Sequence, residues 1–431
     1  MSASSSTATL ASVADTKTRP TYAATFHCIG SACEDTCCGE DWDIPVDKKT
    51  YEKYQHLPFG NYGSSVSQYV SITTPPAHEN LYAYIKRDAS GLCPFFGKDH
   101  FCGIQKTYGS GLLSATCSIY PRSLNQVDGL LEGSLSLSCP EAARNVLLAP
   151  DSTQIAGDLY SGEFRTDNVS LLATSGSGFG RKPHAFFHAI RALLIDIVQD
   201  RSRPLWKRLL LIGSFCKRLD EIATHDSDEV VSAIIQNYRR ILGGDWLDAN
   251  LEGMPAQPRL RLGVIISLST ERARDTTCRR RFRETFWSFI EGIGSLAGSP
   301  SGDDIQRFLD AEEKYHRPFF ESRPFILENY LLNYMFQNLF PFGREGSSDF
   351  TPRSIFDEYI LMTTQFSWIN TLFIGIAANC GEAFAEEHVV RTVQSFTRAI
   401  EHYPHALASI NAYMRSRRMD NLHGMAILLK N

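Results

Sequence analysis

From about His184 onward, apolar residues recur every three to four positions, the period of helices that put one face into a core. The pattern predicts helices over 184–200, 204–223, 228–242, 280–296, 303–315, 324–340, 353–380 and 386–403, and a last amphipathic one near 405–417. Pro204 falls at a first-turn position and Asp228 at a capping one. Upstream of His184 the period is lost. Short β-like runs at 68–73 and 81–85 lie among Gly, Pro and small polar clusters, which predicts irregular α+β structure. The fold class read from this pattern is mainly α: an irregular, cysteine-rich α+β region followed by a helical domain.

The pattern also sets boundaries. Residues 1–20, rich in Ser, Thr and Ala, read as a disordered tail, 21–165 as the cysteine-rich region, 166–183 as a linker and 184–431 as the helical domain. The linker contains Ser175-Gly176-Ser177-Gly178-Phe179-Gly180, which is either a flexible hinge or the glycine turn of a Rossmann-like sheet; no alternating strands follow it. The tail lacks the basic start and apolar run of a secretory signal, and the best apolar stretch, Thr371–Asn379, is too short to span a bilayer. The expectation is a cytoplasmic protein with no membrane partner.

Charge narrows the partners. A formal net charge of −5 and a pI near 6.2 provide no whole-molecule attraction to nucleic acid. The basic runs Arg272–Arg274, Arg279–Arg283 and Arg415–Arg418 are expected to be solvated helix faces, so no nucleic acid is expected as a partner.

Eight of the eleven cysteines lie between Cys28 and Cys139. Cys28, Cys33, Cys37 and Cys38 bring four thiols into eleven positions; Cys93, Cys102, Cys117 and Cys139 follow, the first and last of them directly before proline. In a reducing compartment such spacing points to thiolate ligands for zinc or an iron–sulfur cluster before disulfides. Eight thiolates suit one four-iron cluster plus a zinc, two zincs, or one cluster and four structural thiols. Adjacent Cys37 and Cys38 diverge on any regular backbone, so the two are not expected to share a task. Cys216, Cys278 and Cys380, each alone in a helical pattern, read as core residues.

The blocks Cys28-x4-Cys33-Glu34-Asp35-Thr36-Cys37-Cys38, Trp42-Asp43-Ile44, Cys93-Pro94-Phe95, Cys102–Gly109, Leu113–Arg122 and Leu137–Arg144 resemble, in order and spacing, the flagellin lysine-N-methylase (FliB) family. The likeness is close over 22–148 and looser through Glu328–Tyr334 and Phe340–Phe342. It implies methyl transfer from S-adenosylmethionine to flagellin lysines in the cytoplasm, with a [4Fe-4S] cluster in the cysteine region and zinc as the alternative metal. The Cys-x3-Cys-x2-Cys loop of radical enzymes is absent, so radical chemistry is not implied. The alternative function is a non-catalytic, metal-stapled interaction protein.

Such a reaction needs a site that strips the lysine ammonium of its proton and holds a sulfonium donor. Tyr120 and Arg122, just after Cys117, are the candidate catalytic residues, Arg122 for the donor carboxylate or a cluster sulfur. A turn with an aromatic anchor is the plainer account of the same two residues. Glu141 and Arg144 suit helix capping. Glu328, Tyr330 and Tyr334 are further candidates.

Overall fold

The computed structural model describes residues 19–39, 44–57, 68–73, 79–150, 155–156, 170–172, 174, 182–222, 228–294, 299–344 and 353–430. Of the expected tail 1–20, residues 1–18 lie outside these residues, as do Trp42 and most of the expected linker, whereas Arg19–Pro20 is a short strand paired antiparallel with Ile155–Ala156.

The predicted helices form. They run over Phe187–Gln199, Leu205–Asp220, Asp228–Leu242, Arg280–Ile293, Gly302–Ala311, Phe325–Gln337, Ile355–Cys380, Glu386–Phe396 and Pro404–Ser416. At the centre lies Ile355–Cys380. Ser354 and Asp357 cap its start reciprocally, and the Asp220 carboxylate accepts from the amides of Ile355 and Phe356, both at 2.9 Å. A window within Ile355–Ala383 is long and apolar enough to cross a membrane, but here every residue of it is buried in protein. Apolarity on all sides follows from that position, since neighbouring helices surround it. Arg280–Ile293 crosses it closely where Gly292 meets Gly375, because a Cβ on Gly292 would stand 1.9 Å from the Gly375 carbonyl oxygen.

Trp246–Leu251, Pro258–Arg274 and Leu422–Leu429 are helices that fall outside the predicted ones. Pro258–Arg274 inverts the usual pattern. Arg261 and Arg272 are buried, while Leu260 is exposed. Arg261 donates to the Thr371 hydroxyl at 2.9 Å and faces Glu312, and Arg272 donates to the Ala399 carbonyl at 2.8 Å. Two stretches of the expected helices instead form π-turns, at Glu312–His316 and Thr397–Glu401.

The residues upstream divide between two cores. Pro45–Val46, Ala83–Ile85 and Val70–Ile72 form an antiparallel sheet with Ala83–Ile85 in the middle. With the Lys48–Gln55 helix it encloses a small core of Ile44, Val46, Tyr54, Val70, Phe95 and Ile104. Asp47 caps that helix at Thr50 and reaches across to the Ala115 amide at 2.9 Å. By contrast Tyr22, Phe26, Leu135, Leu137 and Val146 belong to the same core as the helices.

A hairpin, Arg122–Val127 with Leu130–Leu135, turns at Asp128-Gly129, both at positive φ as a two-residue hairpin requires. Its Glu132 is buried against Arg191 at 2.7 Å, which fastens it to the helical body. Ser170–Leu172 pairs in parallel with Arg122–Val127, so this part of the expected linker is a strand. Among the described residues no sheet exceeds three strands, so no Rossmann-like sheet supports the glycine-turn reading.

Candidate functional site

The local sequence explains how the thiols are presented. Gly30–Ala32 is a single 3-10 turn, Cys102 and Cys139 directly precede the helices Gly103–Tyr108 and Pro140–Leu147, and Cys117 sits in Ala115–Ile119, whose cap Ser114 accepts from the Cys117 amide at 3.2 Å. Cys93 donates its amide to the Cys38 carbonyl at 3.0 Å, bringing the second group of cysteines onto the first.

The thiols border two cores. Cys38, Cys102 and Cys117 pack against the small core, and Cys93 lies inside it. Cys139 packs against the main helical core. Cys37 hydrogen-bonds Cys38, and Cys38 in turn Cys93. The charge that Cys37 can carry is felt at Cys33, Cys102, Cys117 and Cys139. Its hydrogen bond with Cys38, then burial, push the Cys37 thiol well above its usual range. Burial raises Cys117 and Cys139 to about 12. Cys33 donates to the Asp35 carbonyl at 3.4 Å, and Cys28 is exposed, its sulfur accepting from the Gly30 amide at 3.4 Å.

Among the described residues, no three His, Cys, Asp or Glu side chains stand in an arrangement that could hold one ion. The expected metal region is therefore present as a gathering of thiols rather than as a formed ligand cage. As donors they suit zinc or an iron–sulfur group, which soft sulfur prefers. Cys216 and Cys278 are core residues as expected, and Cys380 is half-buried at the helix end.

Beside Cys37 the helical body supplies the other wall. Asp35, from the cysteine loop, accepts from Gln394 and pairs with Arg398, both at 2.6 Å. Gln394 also donates to the Ser138 carbonyl at 2.9 Å. Tyr120 bonds the Ser138 hydroxyl at 3.0 Å, and His402 Nε2 lies 2.9 Å from that hydroxyl and 3.0 Å from that of Ser136. His402 is exposed, yet the protein around it withdraws enough water, with Arg398 and Arg279 adding their charge, to hold its pKa down to about 4. Cys37 is likewise exposed and partly desolvated. Cys37 and a neutral His402 imidazole thus reach the surface at the seam where the cysteine loop meets the helical body.

Next along the π-turn, Glu401 accepts from Tyr330 and Thr397 hydroxyls, both at 3.4 Å, and no cation among the described residues pairs with it. Burial, opposed by those two bonds, raises its pKa to about 7. The Tyr334 ring lies near enough to feel its charge.

The other expected residues have structural partners. Arg122 donates to the Phe26 carbonyl at 3.0 Å and lies over the Phe26 ring. Arg144 pairs with Glu34 and Glu141, tying the helix after Cys139 to the cysteine loop. Glu328 is buried in a double ion pair with Arg208 and Arg201. Arg279 and Arg281, expected on a solvated face, are half-buried and feel the charge of Asp35. Glu401, His402 and Arg398 carry no motif, and their shared location comes from the π-turn, which hydrophobic periodicity does not reveal.

Fold and site together define a helical protein whose cysteine loop is latched onto its C-terminal helices through Asp35, Gln394 and Arg398. Residues 191–428, more than half of the chain, match the family model of the FliB lysine N-methylase C-terminal domain, and the chain belongs to that family. It is 34% identical over 142 residues to a lysine-N-methylase of Salmonella typhimurium, covering 33% of this chain and 35% of that one. It is 35% identical over 147 residues to the flagellar biosynthetic protein FliU of Salmonella muenchen, covering 32% of this chain and 80% of that one. The matches thus span about a third of the length of the lysine-N-methylase. No solved structure matches.

Proposed function

We propose that the protein transfers methyl groups from S-adenosylmethionine to lysine side chains of flagellin, in the cytoplasm before export, and that transfer occurs in a crevice at the seam between the cysteine loop and the C-terminal helices. The observation that carries this reading is Glu401: a carboxyl without a cationic partner, among tyrosines, with a pKa of about 7. A lysine ammonium has no lone pair, so a base must take its proton before the nitrogen can attack. Glu401 accepts that proton. The freed amine then attacks the sulfonium methyl carbon; the new N–C bond forms as the C–S bond breaks, its electrons returning to sulfur. The methylated nitrogen is left as an ammonium, and a further round of transfer again needs one of its protons removed.

The thiols of Cys28, Cys33, Cys37, Cys38, Cys93, Cys102, Cys117 and Cys139 are the donors that would hold a [4Fe-4S] cluster or zinc, and those that ligate would have to draw closer together than they stand here. Such a group supplies rigidity and local negative charge beside a cationic donor. Tyr120 keeps Ser138 and through it His402 in place. Arg122 holds the start of the hairpin on Phe26.

The test is incubation of anaerobically prepared protein with S-adenosylmethionine and flagellin, read by peptide mass spectrometry. Lysine masses raised by methyl increments are expected. Flagellin that binds but returns unmodified would favour the metal-stapled interaction protein instead.

A further inference from the structure

The Thr397–Glu401 turn that sends Arg398 to the cysteine loop also sends Ile400 into a separate cavity of about 220 Å³. Its floor is apolar, built by Leu268, Trp368, Ile400 and Ile410. Ligand pockets for whole small molecules run from about 300 to 1,000 Å³. This one is of a size to take a single side chain and too small to enclose an adenosine-bearing donor.

The charges at its mouth are unequally engaged. Arg272 is spent: it donates to the Ala399 carbonyl at 2.8 Å and the Thr277 hydroxyl at 3.2 Å, pairs with Asp275 at 3.1 Å, and lies 4.5 Å above the Tyr403 ring. Asp275 is spent in turn, accepting from the Thr277 amide and hydroxyl, both at 2.8 Å. Glu271 is different: exposed at the mouth, it has no hydrogen-bond or ionic partner among the described residues. The cavity thus offers apolar walls below and one uncompensated negative charge above. A lysine side chain has the complementary form, a stem of four methylenes carrying a single ammonium.

We infer that this cavity is a docking site for a lysine side chain of a polypeptide, distinct from the crevice in which the methyl group is transferred. The stem lies on Trp368 and Ile410 and the ammonium meets Glu271. Such a site would hold a lysine-bearing protein by one residue while another reaches Glu401. The inference rests on the methylase reading only for the kind of protein that brings the lysine; the amine binding itself does not depend on turnover.

Nα-acetyl-lysine N-methylamide is the probe, titrated into the full-length protein by ligand-observed NMR, beside the uncharged norleucine analogue. The expected result is binding of the lysine probe at least 10-fold tighter than the norleucine analogue. Glu271→Gln should weaken it 5-fold or more and Glu271→Lys should abolish it, while Glu401→Gln leaves it within 2-fold. Because Glu271 is exposed, both variants should keep the wild-type melting curve, which separates lost binding from lost folding. The inference is overturned if Glu271→Lys binds as well as wild type, or if binding is lost in Glu401→Gln and kept in Glu271→Gln. Failure of methyl transfer with binding intact would overturn the methylase reading alone.

Discussion

Glu401 is held by two hydroxyls and no cation, and both chemistry and stability should register that. Its folded pKa of about 7 lies above the ordinary carboxyl value of 4.5, so the folded state favours the protonated form. The associated stability is full below about pH 4.5 and is lost as pH rises through about 7. Activity should run the other way, because the base must be ionised: kcat/KM should rise through about pH 7 and level off. Glu401→Gln should lower kcat by about 100-fold or more, the usual weight of a positioned base, with KM little changed. It should also remove the loss of stability between those two pH values. A pH–rate profile with a parallel series of thermal melts checks both; an unchanged kcat would remove Glu401 from the reaction. Residue-scale chemistry was only partly legible in the sequence. The thiols announced themselves by spacing. Glu401 and His402 did not, because a π-turn places them and a period of 3.6 cannot express it.

Among the elements, the joint between hairpin and helical body turns on one ion pair. Glu132 and Arg191 are each 2% exposed, and Arg191 also lies over the rings of Phe187 and Phe336. Removing one partner strands a buried charge, which typically costs about 3–5 kcal/mol. Arg191→Ala should therefore lower the urea midpoint sharply, whereas Glu132→Gln paired with Arg191→Met should recover much of the loss. Equal stability of Arg191→Ala and wild type would show that the hairpin is held by other contacts. Helices with an apolar stripe were read to within a few residues, Asp228–Leu242 to the residue. Pro258–Arg274 escaped because two of its core positions are arginines satisfied by partners far away in sequence, which local pattern cannot anticipate. Ile355–Cys380 was legible as a helix, but its place at the centre follows from which helices enclose it.

For the molecule as a whole, the two cores would make dependence on the proposed metal local. The thiols of Cys38, Cys93, Cys102 and Cys117 border the small core, while the helices share the large one. Metal removal should then loosen the first and spare the second. Hydrogen exchange with and without a chelator is expected to show lost protection in residues 44–117 and little change in Ile355–Cys380, alongside a visible or metal signal that disappears. Uniform loss of protection would mean that the cores are not independent.

The clamp on Asp35 has a further implication for biogenesis. Gln394 and Arg398 lie 359 and 363 positions further on, so a ribosome must add all of those residues before the loop can be latched. Until then its four cysteines are unguarded, and their survival as free thiols in a cell is a race between chain elongation and oxidation.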